Sequence, residues 1–261
     1  MKILRILLLL LLAYVAFLLF TFPASFATTR LNAAVPQVQV KGVDGTIWSG
    51  GAKDIHYQGI PIGALDWKAQ PLGVLHGEWK NHLVLNGIVD GEGELAYGID
   101  GEVNLYNTTL NTNLSEMIAT LDKRIPAQVK LYQGEMQADI VKMAVEPQSR
   151  KLTWLEGAFV LSKLQISDGH YLGDFAAEVT TIEKQKFRTV VHSTSDQGLQ
   201  LQGVITATQQ GEIELDLKLA KVEVLGKQAA SLIKRFMKKT DDGYYRFQWR
   251  GNVKYLMMLL G

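Results

Sequence analysis

Two hydrophobic patterns divide the chain. From Ile6 to Phe22 apolar residues follow one another with only Thr21 as a mild exception, and from Gln37 onward short segments alternate polar and apolar residues. The first pattern predicts a helix that is apolar all round. At about 1.5 Å per residue it covers most of a bilayer core of roughly 30 Å, and Pro23 to Ala27 complete the exit through the interface. Lys2 and Arg5 precede the run, so a short cytoplasmic N-terminus and a translocated remainder are expected, which in a bacterium with two membranes means an inner-membrane anchor and a periplasmic bulk. A cleaved secretory signal competes with this reading, because Ser25-Phe26-Ala27 places small residues where a signal peptidase reads. The run exceeds the typical apolar region of about 7–15 residues in such signals, which favours an uncleaved anchor over residues 1–27. A buried core helix is disfavoured, since the segment has no polar face.

The second pattern predicts strands. Residues 28–36 read as a linker. Gln37 to Lys41 alternates at period two, Asp44-Gly45 signals a tight turn, Thr46 to Ser49 forms the next strand, and Gly50-Gly51 closes it. Further alternating segments follow at Ile55 to Tyr57, Ala64 to Lys68, Glu78 to Leu85, Glu94 to Tyr97 and Glu102 to Tyr106. After one helix they resume at Val129 to Tyr132, Met136 to Val145, Leu152 to Val160, Ser162 to Ile166, Phe175 to Thr181, Phe187 to Ser193, Leu199 to Thr206 and Ile213 to Lys218, and Tyr244 to Trp249 closes the set. The fold expected for residues 37–261 is therefore mainly β: a curved antiparallel meander, solvated on one face, with one or two packed helices. Two meander halves dividing near 113–126 are a second reading, without a repeat period that would establish it.

The intervening helix starts at Asn113, which forms a capping-box-like pair with Glu116, and its Leu114, Met117, Ile118 and Leu121 make one apolar stripe for packing on the sheet before Pro126. A second helix spans approximately Val224 to Lys239. Its apolar side carries Leu225, Ala229, Leu232, Ile233 and Phe236, and its basic side Lys227, Lys234, Arg235, Lys238 and Lys239. Two uses compete: lying on anionic lipid headgroups, or capping one end of the sheet with the basic side in water. Capping is the commoner arrangement and is favoured. The apolar tail from Tyr255 to Leu260 is too short to span a bilayer and suits a last strand or a subunit contact.

Residues Gly45-Thr46-Ile47-Trp48-Ser49-Gly50-Gly51-Ala52, then Ile60-Pro61-Ile62-Gly63, Leu65-Asp66-Trp67 and Pro71-Leu72, resemble the opening of the type II secretion system protein N family. There a G-T-[IV]-W-x-G-x-A segment begins a β-rich periplasmic domain directly after one transmembrane helix. The resemblance in the order anchor, linker, motif, L-x-W and P-L covers roughly the first 80 residues, and the remaining chain is similar in style with weaker motifs. It implies an accessory inner-membrane component of type II secretion, which exports folded periplasmic proteins across the outer membrane. The partners it implies are other secretion components, either inner-membrane subunits or the outer-membrane secretin, with no small-molecule substrate. Gly45, Thr46, Ile47, Trp48, Gly50, Ala52 and Trp67 are the candidate motif residues. Lys234, Arg235, Lys238, Lys239, Tyr255 and Leu256 form a candidate interaction or membrane surface.

Read from the residues alone, the motif is structural: Gly45 and Gly50 suit turns, and Ile47 and Trp48 point to opposite faces of a strand. A Trp on the inner face is core, which is the favoured reading, and one on the outer face is available to a partner. The layout is also weakly similar to AsmA-like groove proteins, in which a tethered curved sheet carries lipid on an apolar concave face. A covered inner face favours the scaffold; an open trough favours the carrier.

Composition narrows the chemistry. The net charge is +1, and removing Lys2, Arg5 and Arg30 leaves −2, without the basic excess that nucleic-acid binding requires. There is no cysteine, which excludes disulfides, thiolate metal sites and cysteine nucleophiles. His56, His76, His82, His170 and His192 are scattered without a metal-binding spacing, and Gly91-Glu92-Gly93 lacks the helix and lysine of a phosphate loop. No nucleophile elbow occurs, and Ser167-Asp168 and Ser195-Asp196 read as turns. Neither an enzyme nor a cofactor is expected.

Overall fold

The computed structural model describes residues 2–34, 37–71, 73, 77–98, 101–121, 131–149, 151–166 and 169–252. It begins with helices α1 (Lys2–Phe20) and α2 (Ala24–Ala34). Six strands follow: β1 (Val38–Gly45), β2 (Ser49–Tyr57), β3 (Ile60–Gln70), β4 (Glu78–Gly87), β5 (Val89–Gly98) and β6 (Val103–Asn113). Helix α3 (Leu114–Thr120) precedes β7 (Tyr132–Glu146), β8 (Lys151–Ile166), β9 (Tyr171–Glu183), β10 (Lys186–Ser193), β11 (Gln200–Thr208) and β12 (Glu212–Ala220). The chain ends with a 3-10 turn (Val222–Leu225), α4 (Lys227–Phe236), β13 (Lys238–Lys239) and β14 (Tyr245–Asn252).

All strands join one antiparallel sheet in chain order, except that β14 inserts between β12 and β13. The mainly β expectation is met. The ladder runs through the middle of the chain, since β6 pairs with β7 from Val103↔Val145 to Asn113↔Glu135. Register shifts interrupt the β2–β3, β5–β6, β7–β8, β8–β9 and β9–β10 ladders, and each such bulge bends the strands and increases their twist. Asn107 and Lys163, at positive φ, occupy two of these irregular sites.

Helix α3 forms as its capping residues predict: the Asn113 carboxamide oxygen accepts from the N–H groups of Ser115 (2.9 Å) and Glu116 (3.3 Å). Other boundaries differ from expectation. The segment read as a linker is mostly α2, whose Thr28 and Thr29 hydroxyls donate to Ser25 O and whose Asn32 is tied to β1. Thr46 to Ser49 is a turn, because the Thr46 hydroxyl accepts from the N–H groups of Trp48 and Ser49 while Gly45 sits at φ 80°. The strand starts at Ser49 and runs through the two glycines expected to end it. The single helix expected over 224–239 is broken by Gly226 at φ 86° into the 3-10 turn and α4, with Lys238 and Lys239 in β13. Among the described residues no helix is long and apolar enough to cross a membrane.

The core is thin. Among the described residues the buried apolar ones are mostly small, including Ala52, Ala96, Ala138 and Ala144, and Val222 is the largest side chain that is fully buried. The chain exposes 16953 Å². A compact protein of 29.0 kDa is expected to expose about 11,000 Å². Among the described residues α1 contributes to that exposure, with its leucines from Leu7 to Leu12 58–68% exposed.

Candidate functional surface

Side chains paired across antiparallel strands lie on the same face, so the register can be followed from strand to strand. One row runs Val43, Ala52, Leu65, Leu85, Gly91, Leu110, Ala138, Phe159, Ala177, Val191, Gly203, Leu217, Phe247. It crosses β1 to β12 and β14 without one polar residue. At strand spacings of about 4.8 Å its twelve steps span roughly 58 Å along the sheet. A neighbouring row on this face, Ile140, Gly157, Val179, Thr189, Ile205, Leu215 and Trp249, widens it from β7 to β14.

One residue along each strand, the opposite face reads Asp44, Gly51, Asp66, Val84, Glu92, Thr109, Asp139, Ala158, Glu178, Val190, Val204, Asp216, Gln248. Eight of these thirteen positions are polar, six of them acidic, and Gly51, Val84, Ala158, Val190 and Val204 interrupt them. The apolar row is nevertheless half-buried rather than exposed. The helices meet the sheet at β1 (α2) and at β6 and β7 (α3), and the 3-10 turn meets β9. Register-shift bulges bend this surface, and the row residues lie beside one another across the strands. Glycine assists at Gly203, where a Cβ would meet the Asp216 carbonyl oxygen and Leu217 Cδ2, so the strands can approach closely.

At the β1 end this face deepens into a cavity of about 410 Å³, within the roughly 300–1,000 Å³ of small-molecule sites. Val40, Ile55, Leu65, Leu83 and Leu95 line its walls, α2 contributes Ala24 and Thr28, and Asn81 is the polar side chain among the strand residues. The family-like motif builds its rim. Thr46 bridges to Pro23, its carbonyl accepts from Trp67 Nε1 (3.0 Å), and the Ile47 N–H donates to Phe22 O (3.1 Å). Trp48 stacks on Trp79 at 4.7 Å and reaches Phe20 at 5.6 Å. At Gly50 a Cβ would collide with the Asp44 carbonyl oxygen and lie 2.7 Å from Cζ2 of Trp67, its cross-strand neighbour, so only glycine fits without a shift. Ala52, 3% exposed, lies in the cavity lining. The structure therefore brings Gly45, Thr46, Ile47, Trp48, Gly50, Ala52 and Trp67 together as the seat of the α1–α2 corner. The opposite-face placement expected for Ile47 and Trp48 does not apply, because neither is in a strand. Trp79, Phe20 and Asn32 went unnoticed in sequence; only the aromatic character of Trp79 in an alternating segment could have signalled its role.

The β14 end is built differently. Arg246 grips Asp216 through Nε at 2.8 Å, and its hydrogen bonds hold that carboxyl below the usual range. The Thr240 hydroxyl and then Lys218 bring Asp242 down to about 2. Lys234 bonds Glu223 at 2.7 Å and depresses its pKa. Arg235, Lys238 and Lys239 are exposed. Tyr255 and Leu256 lie outside the described residues, as does His76. Among the described residues no group of three His, Asp or Glu side chains could hold a metal ion.

A model of the type II secretion system protein N family matches residues 36–248, from the start of the sheet to near its end. The chain belongs to this family. Membership makes it a component of type II secretion in the cell envelope and implies interaction with other secretion components. No curated protein and no solved structure matches the chain. In this family member the matched span contains the whole apolar row and leaves α1 and α2 outside it.

Proposed function

We propose that this protein N family member is a non-catalytic, inner-membrane-tethered component of type II secretion that holds acyl chains of envelope lipid on the open apolar face of its sheet. The observation that carries this reading is the unbroken apolar row from Val43 to Phe247, set against an opposite face on which eight of the thirteen matching positions are polar. A protein scaffold of this size would ordinarily bury such a face against a second layer. The tether rests on α1, whose exposed leucines suit lipid, and on the motif that seats α1 at the mouth of the cavity.

Strand addition at the sheet edge is less well supported as the contact mode. The Asn32 carboxamide already donates to Val40 O (3.2 Å) and accepts from Val40 N (3.0 Å), closing the middle of the β1 edge. At the far edge β13 presents Lys238 and Lys239, charges that discourage pairing. A photoreactive residue at Phe159, with Glu178 on the opposite face as control, tests the reading in native envelopes. Phospholipid adducts at 159 and not at 178 are expected. Adducts exclusively with proteins at 159 would replace the carrier with a scaffold.

A further inference from the structure

Helix α4 leaves its most apolar side chains in solvent. Leu232 and Phe236, one turn apart on one side of the helix, are 51% and 74% exposed, while Ala230 at 5% marks the side that faces the protein. A helix that capped the sheet would bury these two residues. Their surroundings are basic: residues 221–246 hold seven Lys and Arg against three Asp and Glu, a net of +4, so the rest of the +1 chain carries −3. Two of the three acids are already engaged, Glu223 by Lys234 and Asp242 by Lys218. Among the described residues Arg235, Lys238 and Lys239 have no acidic partner within ion-pair distance. Beside them a cleft of about 530 Å³ is lined by Phe236, Lys238, Lys239, the third acid Asp241, Arg246 and Phe247, and Phe247 is the last residue of the apolar row.

We propose that the α4–β13 corner docks on an anionic bilayer surface, with Leu232 and Phe236 inserted below the headgroups and Arg235, Lys238 and Lys239 facing their phosphates. Exposed aromatic and leucine side chains rimmed by cations are the composition of an interfacial helix. The cations supply affinity that neutral lipid cannot. The corner lies thirteen strand steps from β1, about 60 Å along the sheet, so it is a contact separate from that of α1. It does not depend on whether the apolar row carries lipid.

The absence of cysteine allows a single reporter. Full-length chain carrying Ser231→Cys, labelled with an environment-sensitive fluorophore, is reconstituted in phosphatidylcholine vesicles and mixed with phosphatidylcholine or phosphatidylcholine/phosphatidylglycerol vesicles. Brominated acyl chains are placed in the host or in the added vesicles, and a label at Lys184→Cys serves as control. Brominated vesicles that contain phosphatidylglycerol should quench the label at 231 and leave that at 184 unchanged. R235Q/K238Q/K239Q should weaken the effect roughly a hundredfold, at about a factor of five per cation. F236A should abolish the quenching while retaining the cation-dependent approach to the vesicle. Absence of quenching at 231 by anionic vesicles, or equal quenching by neutral ones, would overturn the proposal.

Discussion

The two ends of the sheet solve the same problem in opposite ways. At the β1 end an exposed strand edge and an apolar cavity are closed by the chain itself: Asn32 occupies the edge, and Trp48, Trp67 and Trp79 pack the α1–α2 corner onto the rim. At the β14 end ion pairs hold the turn together, and α4 turns Leu232 and Phe236 outward. The first corner draws its stability from aromatic burial and is committed to its own chain. The second is held by screened surface charges and keeps its apolar groups for something outside.

That contrast predicts a large asymmetry in mutational cost. Trp67→Ala removes a ring that lines the cavity and donates to Thr46, and should cost about 3–5 kcal/mol in denaturant unfolding. Phe236→Ala, a ring of similar size, should change stability by less than about 0.5 kcal/mol. Equal costs would erase the distinction. Gly50→Ala sharpens it at the first corner: the added methyl must displace the Asp44 carbonyl and the Trp67 ring, and a loss of about 1–3 kcal/mol is expected. Asn32→Ala leaves the Val40 N–H and C=O without their partner and should cost about 1–2 kcal/mol, with self-association through the freed β1 edge visible in sedimentation.

The smallest effect belongs to the charged corner and depends on pH. Asp242 is depressed to about 2 by Thr240 and Lys218, and Asp216 is lowered by Arg246. A folded pKa below the unfolded one gives stability that is present above the unfolded value and is lost as pH falls through the folded one. The β12–β14 corner should therefore loosen between about pH 4 and 2 as these carboxylates protonate, while the aromatic corner stays unchanged. Carboxyl carbon titration by NMR checks this directly: a midpoint for Asp242 near its ordinary 3.8 would remove the effect.

Much of this was written in the sequence, but not the feature that matters most. Period-two alternation announced the strands, and Asn113 with Glu116 announced α3, because both signals are local. The motif was visible as a unit, yet its role was not. Trp48 meets Phe20 and Trp79 only after a turn that the Thr46 hydroxyl builds, where the sequence suggested a strand. Helix α2 passed for a linker because its polar Thr28, Thr29 and Asn32 earn their place through hydrogen bonds, two of them to the β1 edge. Alternation shows that each strand has an apolar side. It cannot show that thirteen such sides align into one row, since alignment depends on strand order and on bulges that shift the register. The outward turn of Leu232 and Phe236 was likewise hidden, because an apolar helix stripe looks the same whether it meets a sheet or a membrane.

The central claim, an open apolar face occupied by lipid, is tested most directly by cysteine reactivity along β12. Single cysteines at Leu215, Asp216, Leu217 and Lys218 in the full chain are exposed to a water-soluble maleimide in native envelopes, before and after lipid extraction. The account predicts that 215 and 217 are protected and 216 and 218 reactive before extraction, with 215 and 217 becoming reactive afterwards. Protection of 217 that persists after the lipid is removed would contradict it, since the row would then be covered by protein.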